Sequence, residues 1–315
     1  MNANTIELIT FQEKLETLRT NWLMPALEQY HHHLPTTPLF EPIGYLMKLG
    51  GKRMRPLLAL AAADAFNGSL TDAMPAAMAV EVFHNFTLMH DDIMDEAPVR
   101  RGKATVHEKW DNNTAILSGD AMLVQAYQVL AKAQSTHLGD LMNVFNTTAV
   151  EVCEGQQMDM DFEQRKDVLL SEYMEMIRLK TSVLLGGAMK MGAITANATK
   201  EQQDAIYQYG MHIGIAFQLK DNYLDAFGDP EQFGKQVAGD ILSDKKTYLW
   251  LKAFENSSFE RQEHMLKNMG NTLGKEEKIE FYLNCFKDSG ADQSLLAEME
   301  VHYQDAMSAL KAAAI

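Results

Sequence analysis

The sequence has few residues that interrupt helices and few that cross-link a chain. It contains 8 Pro, 19 Gly and 2 Cys among 315 residues. The two cysteines, Cys153 and Cys285, exclude a disulfide-rich scaffold and favour a reduced protein. No apolar run reaches the roughly 18 residues that a membrane span requires, and the first residues lack the basic and apolar regions of a signal peptide. We therefore expect a cytoplasmic protein without a membrane span.

Basic residues are also scarce. The chain has 28 Lys and Arg against 43 Asp and Glu, and its formal net charge is -15. Binding to nucleic acid requires a basic surface that neutralises phosphates, and this balance does not supply one. The composition therefore argues against a nucleic-acid partner.

What the sequence does have is helical periodicity. Hydrophobic residues make up 46% of the chain and recur at helical spacing almost throughout, whereas no alternating run is long enough for a strand. This pattern predicts an all-α protein. The absence of a Pro/Ser-rich linker over residues 38–255 predicts a single domain, 1–315. The predicted long helices cover about residues 5–33, 39–49, 56–68, 72–96, 114–134, 138–162, 170–194 and 201–227.

Two acidic clusters lie near the ends of two predicted helices. They are DDIMD, from Asp91 to Asp95, and DNYLD, from Asp221 to Asp225. Each has Asp at i and i+4, which places two carboxylates on one helix face although like charges there repel each other. Carboxylate oxygens together with substrate phosphates are typical ligands of Mg²⁺. The pair of clusters therefore predicts a Mg²⁺-dependent diphosphate site, the alternative for DDIMD being a solvated helix end.

Basic segments stand near the first cluster and near a helix start. RRGK follows the first cluster at residues 100–103, and GGKRMRP occupies residues 50–56. Guanidinium groups bind phosphate oxygens in pairs, and helix N-termini favour anions. Either segment alone is equally typical of a surface loop. Together with the acidic cluster, the two segments predict binding sites for two diphosphates.

A third group of polar residues lies before and after the second cluster in the sequence. Lys180 and Thr181 lie within an otherwise apolar helix, where a lone Lys is also consistent with a side chain that reaches solvent. Gln218 precedes the second cluster. The segment GKQVAGDILSDKKT then adds Lys235, Asp240, Lys245 and Lys246.

Six motifs in this order resemble those of the trans-prenyltransferases, the head-to-tail isoprenyl diphosphate synthases. They are GGKRMRP, HDDIMDEAPVRRG, CEGQQMDMDF, RLKTS, FQLKDNYLD and GKQVAGDILSDKKT, spread over about residues 40–255. The resemblance implies a homodimer of bundles of long, mostly antiparallel helices around a deep central cavity. It also implies that an allylic diphosphate condenses with isopentenyl diphosphate through a Mg²⁺-assisted carbocation.

The resemblance assigns roles to individual residues. Three Mg²⁺ ions would be held by Asp91, Asp95 and Asp221, with Asp92 assisting and Asp225 oriented behind them. The allylic diphosphate would be bound by Arg100, Lys180, Lys235 and Lys245. Isopentenyl diphosphate would be bound by Lys52, Arg55, His84 and Arg101. The carbocation would face the Thr181 hydroxyl, the Gln218 amide and the Lys180 carbonyl. One departure is Asn222, where many relatives carry Asp.

Phe83 and Phe86 are the candidates for setting product length. Phe86 lies five residues before Asp91, about 7.5 Å away along a helix. In the family that the sequence resembles, an aromatic residue at this position accompanies products of fifteen or twenty carbons. If Phe86 faces the cavity, we expect geranylgeranyl diphosphate, with farnesyl diphosphate as the alternative. If it packs outward, Phe83 or deeper residues form the floor.

Two other classes share part of this pattern. A class I terpene cyclase shares the first cluster but needs no second diphosphate, so GGKRMRP would be unexplained. A non-catalytic partner subunit of a heteromeric synthase typically lacks one acidic cluster, and both are present here. The sequence therefore favours a catalytic prenyltransferase.

Overall fold

The computed structural model describes residues 12–229, 238–270 and 272–314. Over these residues almost all regular structure is helical, which confirms the predicted all-α fold class. The first elements are α1 (Met24–His32), α2 (Glu41–Lys48), α3 (Met54–Ala65), α4 (Leu70–Met94), β1 (Val99–Arg100), β2 (Lys103–Ala104), α5 (Val106–Lys109), α6 (Asn112–Leu130) and α7 (Ser135–Gln164). They are followed by α8 (Leu170–Ile177), α9 (Val183–Thr195), α10 (Lys200–Phe227), α11 (Gly239–Leu242), α12 (Tyr248–Asn256), α13 (Phe259–Lys267), α14 (Lys275–Asp288) and α15 (Ala291–Ala312).

Two predicted helices contain a π-helical turn. Arg19–Leu23 joins helical residues 12–18 to α1, and Arg178–Ser182 joins α8 to α9. Residues 5–11 of the predicted N-terminal helix lie outside the described residues. π-Helical turns interrupt α-helices mostly as single turns and are frequent at functional sites. The second turn contains Lys180 and Thr181, two of the predicted site residues.

Helix α4 carries the first acidic cluster between two defined ends. The Ser69 hydroxyl caps its start by accepting a hydrogen bond from the backbone N–H of Asp72 at 3.3 Å. Its middle is buried through side chains such as Met89, which is 1% exposed. At its end the Asp95 N–H donates to the Asp91 carbonyl at 2.8 Å. The first cluster therefore forms the last turn of a buried helix.

A short hairpin follows α4, where the sequence pattern predicted no strand. Val99 pairs with Ala104 and Arg100 pairs with Lys103, in antiparallel register. The two residues between the strands, Arg101 and Gly102, both have positive φ, 51° and 75°. Positive φ at both loop positions is the condition for a tight hairpin whose twist matches its strands. The basic segment is therefore a tight turn that reverses the chain after the acidic cluster.

The chain divides into two compact units, which are described separately below. Within the described residues, one comprises 12–147 and 187–207, and the other comprises 148–186, 208–229, 238–270 and 272–314. The first unit has a core that includes Ile43, Leu60 and Phe83, all at most 1% exposed. The second has a cluster that includes Tyr282 and Phe286. The single-domain organisation stays a prediction. None of the described helices has the length and apolar character that crossing a membrane requires.

Candidate active site

In the first unit, the hairpin brings Arg100 back onto the first acidic cluster. Its Nε lies 2.8 Å from both carboxylate oxygens of Asp92, and its Nη2 lies 2.7 Å from Asp92 Oδ1. The same Nη2 is 3.7 Å from Asp91 Oδ2. Asp92 is only 2% exposed, so its carboxylate is shielded from water. The interaction anchors the predicted diphosphate-binding Arg100 beside Asp91.

The second Arg of the hairpin contacts the GGKRMRP segment. Arg101 donates a hydrogen bond from Nη1 to the Gly50 carbonyl. Gly51 has a φ of 123°, and a Cβ added there would lie 2.7 Å from Arg101 Nη2. The two glycines thus allow the backbone to turn and the guanidinium to lie against it. This packing brings together two basic segments that are about 50 residues apart in the sequence.

The basic residues of GGKRMRP have different environments. Lys52 is exposed, whereas Arg53 is buried and ion-paired with the buried Glu81. Arg53 also donates to the Met47 carbonyl, and Glu81 accepts from Asn85 Nδ2 at 2.9 Å. Arg53 has a φ of 51° and precedes α3, which begins at Met54, two residues before the predicted start. Arg53 therefore holds this turn in place, which leaves Lys52 and Arg55 as candidates for ligand binding.

Arg55 and His84 form a basic pair. Arg55 Nη1 lies 3.0 Å from His84 Nε2, and because Arg is only a donor, His84 accepts through Nε2 and carries its proton on Nδ1. Desolvation and the nearby cations, Arg55 and Arg101 foremost, hold the pKa of His84 well below 6.5. Desolvation also lowers the pKa of Arg55 to about 10, against the opposing effect of Glu81. His84 is therefore a neutral acceptor at neutral pH.

Arg55 also presents an unused donor. Its buried Nε has no hydrogen-bond partner among the described residues. A buried guanidinium N–H without an acceptor is costly, and an anion bound beside it would remove that cost. The structure thus brings Arg55, His84 and Arg101 into one electrostatic neighbourhood suited to a diphosphate.

Both candidate length-determining residues on α4 are buried within an aromatic row. Phe83 is 1% exposed, and its ring centroid lies 5.4 Å from that of Phe145 and 5.6 Å from that of Phe86. Phe86 is 8% exposed and lies 4.8 Å from the His90 ring, on the side of the acidic cluster. Phe83 is thus the more deeply packed of the two, and Phe86 lies closer to the cluster.

In the second unit, a cavity of about 410 Å³ contains the predicted polar residues. Its lining combines carboxylates, ammonium groups and neutral dipoles, a set suited to a metal-bound diphosphate. The residues named from the sequence that line it are Lys180, Thr181, Gln218, Asp221, Asp240, Lys245 and Lys246, and the further charged residues that line it are Asp159, Glu163 and Asp244.

The π-helical turn presents two of these residues. Lys180 Nζ lies 2.6 Å from Asp159 Oδ2, and the Thr181 hydroxyl donates to Gln218 Oε1 at 3.3 Å. Gly155 on α7 makes this approach possible, since a Cβ there would lie 2.3 Å from the backbone nitrogen of Lys180. The motifs CEGQQMDMDF and RLKTS therefore meet at a glycine contact.

The second acidic cluster contains one carboxylate bound to backbone and one amide bound to a side chain. Asp225 accepts hydrogen bonds from the N–H groups of Gly239 and Asp240, at 3.2 and 3.0 Å, and so caps α11. Asn222, 5% exposed, accepts from the Tyr173 hydroxyl at 2.5 Å. A neutral amide at position 222 satisfies a buried hydroxyl without adding a charge, which accounts for the departure at that position.

Excess negative charge accumulates beside Asp240. Desolvation, followed by repulsion from Asp225 and opposed by Lys245, raises the pKa of Asp240 to about 6. Asp221 and Asp159 also repel it. A divalent cation held by hard oxygen donors would relieve this repulsion, so the donor set fits Mg²⁺.

Sequence reasoning alone missed some of the lining residues. Asp159 lies in the quoted CEGQQMDMDF motif, and its i and i+2 acidic pattern with Asp161 was the available signal. Lys246, which belongs to the segment GKQVAGDILSDKKT named from the sequence, donates from Nζ to the carbonyl of Phe162 at 2.8 Å and so binds the end of α7. The predicted Lys235 lies outside the described residues.

A profile of the polyprenyl synthetases matches residues 36–286 of the chain. The chain belongs to this family. Membership confirms the resemblance to the trans-prenyltransferases and, with it, the prediction of a prenyltransferase.

Three relatives of this polyprenyl synthetase illustrate the similarity. It is 44% identical to the geranylgeranyl diphosphate synthase of Methanosarcina mazei over 227 residues, which cover 70% of each chain. A crystal structure of a geranylgeranyl pyrophosphate synthase superposes with a TM-score of 0.89 at 48% identity, covering 94% of this chain and 92% of that one. The geranylgeranyl pyrophosphate synthase of Corynebacterium glutamicum, complexed with isoprenyl diphosphate and magnesium, superposes with a TM-score of 0.81 at 26% identity, covering 95% and 92%.

Proposed function

We propose that this polyprenyl synthetase is a short-chain isoprenyl diphosphate synthase that forms geranylgeranyl diphosphate. It condenses isopentenyl diphosphate with an allylic diphosphate in the presence of Mg²⁺. The observation that carries this proposal is a single cavity lined by two carboxylates and two ammonium groups, those of Asp221, Asp240, Lys180 and Lys245. Such alternation of carboxylates and ammonium groups suits a metal-bound diphosphate and has no role in a purely structural bundle.

Each acidic cluster would supply carboxylate ligands for Mg²⁺. As the family resemblance implies, three Mg²⁺ ions would be held by Asp91, Asp92 and Asp95 of the first cluster and by Asp221 of the second, and Asp225 contributes by capping α11. When bound, Mg²⁺ supplies positive charge that stabilises a departing diphosphate. The direct contact of Asp92 in the structure is with Arg100, so its contribution includes orienting that guanidinium. Lys180, Lys235 and Lys245 complete the charge balance of the allylic diphosphate.

Isopentenyl diphosphate binds the basic neighbourhood of the first unit. Arg55 offers its unused Nε, and Arg101 offers the part of its guanidinium that does not bind the Gly50 carbonyl. Lys52 supplies an exposed ammonium group. His84, neutral and protonated on Nδ1, orients Arg55 through its Nε2. Guanidinium and ammonium donors are the side chains best suited to diphosphate oxygens.

The remaining polar groups act on the hydrocarbon part of the reaction. As the allylic C–O bond breaks, the Thr181 hydroxyl oxygen, the Gln218 amide and the Lys180 carbonyl present dipoles to the growing positive charge. The alkene of isopentenyl diphosphate attacks the cation, a new C–C bond forms, and the proton lost from the adduct goes to the released diphosphate. Water must be kept away, since it would capture the cation.

Product length follows from the position of the first large side chain that the growing chain meets. Phe86 lies closer to the first acidic cluster than Phe83, so we assign it as the floor. Geranylgeranyl diphosphate is the expected product, and farnesyl diphosphate is the alternative if the usable depth is smaller. A homodimer in the cytoplasm is part of the same proposal and rests on the family resemblance.

Product analysis with isopentenyl diphosphate, Mg²⁺ and allylic starters of five, ten and fifteen carbons tests this function. A dominant twenty-carbon diphosphate supports it, and a fifteen-carbon stop supports the farnesyl alternative. Asp91→Ala should abolish Mg²⁺-dependent turnover without changing the helical content seen by circular dichroism. Consumption of an allylic diphosphate without isopentenyl diphosphate would indicate a cyclase. No product from any starter would indicate a non-catalytic subunit.

A further inference from the structure

A second group of metal-ligating side chains lies in the second unit, away from the proposed Mg²⁺ residues. His212 on α10 faces His302 and Asp305 on α15, and one ligand atom from each lies within 4.8 Å of the other two. The proposed Mg²⁺ ligand Asp221 follows His212 by nine residues on the same helix, about 13.5 Å along its axis. The group is therefore separate from the candidate active site.

The two histidines meet through the same type of nitrogen. Nδ1 of His212 lies 2.9 Å from Nδ1 of His302, so in the absence of a metal one ring donates and the other accepts. The ring centroids are 5.2 Å apart and the planes are inclined by 38°. Two imidazole nitrogens that face each other can share one proton, which one ring donates and the other accepts. Alternatively, both nitrogens can bind the same metal ion through their lone pairs.

Helical spacing adds two carboxylates to this pair. Asp305 follows His302 by three residues, and Glu298 precedes it by four, so all three lie on one face of α15. Asp305 Oδ2 lies 3.9 Å from His212 Nδ1. Glu298 Oε1 lies 3.6 Å from His302 Nε2, on the far side of the ring from His212. One carboxylate thus faces the pair directly, and the other stands behind one of the imidazoles.

The position of Glu298 favours the ligating form of His302. A carboxylate 3.6 Å from Nε2 favours electrostatically the tautomer with its proton on that nitrogen, in which the lone pair of Nδ1 faces His212. Metal-bound histidines in proteins usually have such a carboxylate or carbonyl on the second nitrogen. The arrangement therefore contains both a set of direct ligands and the group that orients one of them.

The spacing fits a small transition-metal ion. Tetrahedral Zn²⁺ at about 2.05 Å from its ligands requires neighbouring ligand atoms about 3.3 Å apart. The 2.9 Å between the two Nδ1 atoms and the 3.9 Å between His212 Nδ1 and Asp305 Oδ2 lie on either side of that value. The third pair, His302 and Asp305, has ligand atoms within 4.8 Å, so the carboxylate would move toward the imidazoles when the ion binds. Two imidazoles and one carboxylate favour Zn²⁺ strongly over Mg²⁺, which prefers an all-oxygen shell.

We propose that His212, His302 and Asp305 form a Zn²⁺ site that joins α10 to the C-terminal helix α15, with Glu298 as a positioning residue behind His302. The fourth position is open to water. Because α10 also carries Gln218 and Asp221, the ion fixes α15 to a helix of the candidate active site without contacting the substrates.

Metal titration of the full-length protein tests the site. Protein freed of metal with a chelator is titrated with Zn²⁺ by calorimetry in excess Mg²⁺, and separately with Co²⁺ by visible absorption. Co²⁺ with four ligands including imidazoles gives intense visible bands that six-coordinate Co²⁺ with oxygen ligands lacks. We expect one Zn²⁺ per chain, intense Co²⁺ bands and a rise of several degrees in Tm on adding Zn²⁺.

Variants assign the ligands. His302→Ala and Asp305→Asn should lose the Co²⁺ bands and the rise in Tm, and Glu298→Gln should weaken Zn²⁺ binding about 10- to 100-fold. His264→Ala removes an exposed histidine from α13, and His32→Ala removes one from the His31–His33 triplet; both should bind as the wild type does.

Equal Zn²⁺ binding by wild type and His302→Ala, or the absence of intense Co²⁺ bands in the wild type, would overturn the proposal. If His302→Ala fails to fold, the partly exposed Asp305 and Glu298 still provide the test.

Discussion

Arg100 binds both oxygens of Asp92, and this pair links the hairpin after α4 to the acidic cluster at the end of α4. The ion pair has an asymmetric environment, since the Asp92 side chain is 2% exposed and that of Arg100 is 23% exposed. A buried carboxylate that loses its partner is costly, whereas a partly exposed guanidinium finds water. The pair therefore fixes Arg100 at the edge of the cluster with its outer face available.

Asp92→Asn should weaken this link. The amide has the same shape but no charge, and it cannot accept two charge-assisted hydrogen bonds from Arg100. We expect a loss of about 1–3 kcal/mol in the free energy of unfolding in urea and a higher KM for the allylic diphosphate. Asp95→Asn is the matched control, because Asp95 is exposed; it should change the Mg²⁺ dependence and leave stability within about 0.5 kcal/mol. Equal stabilities of the two variants would contradict this assignment.

Phe86→Ala should lengthen the product by at least one five-carbon unit. Removal of the ring opens the space below the first cluster, so the chain grows further before it meets a large side chain. Phe83→Ala is the comparison: Phe83 packs against Phe145, and its loss should cost about 3–5 kcal/mol of stability without lengthening the product. Chromatography of the dephosphorylated products provides the measurement. The reverse result, with longer products only from Phe83→Ala, would move the floor to Phe83.

His84 should make the protein less stable below neutral pH. Its pKa in the folded protein lies below 6.5, so as pH falls the unfolded chain takes up a proton first. The stability contributed by the neutral ring is full above about pH 6.5 and is lost as pH falls toward the lower folded pKa.

His84→Gln removes this titration and keeps an acceptor for Arg55. The drop in Tm between about pH 8 and about pH 5.5 should therefore be smaller in the variant than in the wild type. Other titrating groups, Asp240 among them, are common to both proteins and cancel in the comparison. The same drop in both proteins would mean that His84 is not held neutral.

Gly51→Ala should raise the KM for isopentenyl diphosphate. Its φ of 123° disfavours a side chain, and the new Cβ would lie 2.7 Å from Arg101 Nη2, so the guanidinium must move. Gly50→Ala is the matched control, because Gly50 also has positive φ, 81°, but no atom lies within 4 Å of the added Cβ. Both variants should lose about 1–2 kcal/mol of stability from backbone strain. Only Gly51→Ala should raise the KM, and an equal effect of both would show that strain alone is responsible.

Local patterns were sufficient to predict most of the secondary structure. The predicted segment 72–96 corresponds to α4, Leu70–Met94, because a long apolar stretch that ends before Pro98 defines it within the sequence. The hairpin was missed because its strands have two residues each, too few for alternation to be recognised. Its signal was the turn itself, in which Arg101-Gly102 supplies a glycine at a position of positive φ.

The positive charge of a residue did not by itself predict whether the residue is available to bind a ligand. Arg53 and Arg55 are two residues apart in one motif, yet Arg53 is ion-paired with Glu81 whereas Arg55 Nε has no partner among the described residues. The distinction depends on Glu81, which lies on another helix. Similarly, the partner of Lys180 is Asp159, and the partner of Asn222 is Tyr173, 49 residues away.

The sequence by itself determined the helical class, the family and the residue types of the site, because periodicity, capping and the i, i+4 spacing of Asp are local properties of the chain. Only the tertiary structure decided which charges are neutralised and which remain for a ligand. Pairs such as Arg100–Asp92 and His212–His302 depend on the chain reversing or on helices packing against each other, and helical spacing along one segment does not encode those contacts. Burial then decides whether a charged side chain needs a partner. In water the side chain is solvated, whereas in the interior it costs free energy unless another group forms a hydrogen bond or an ion pair with it.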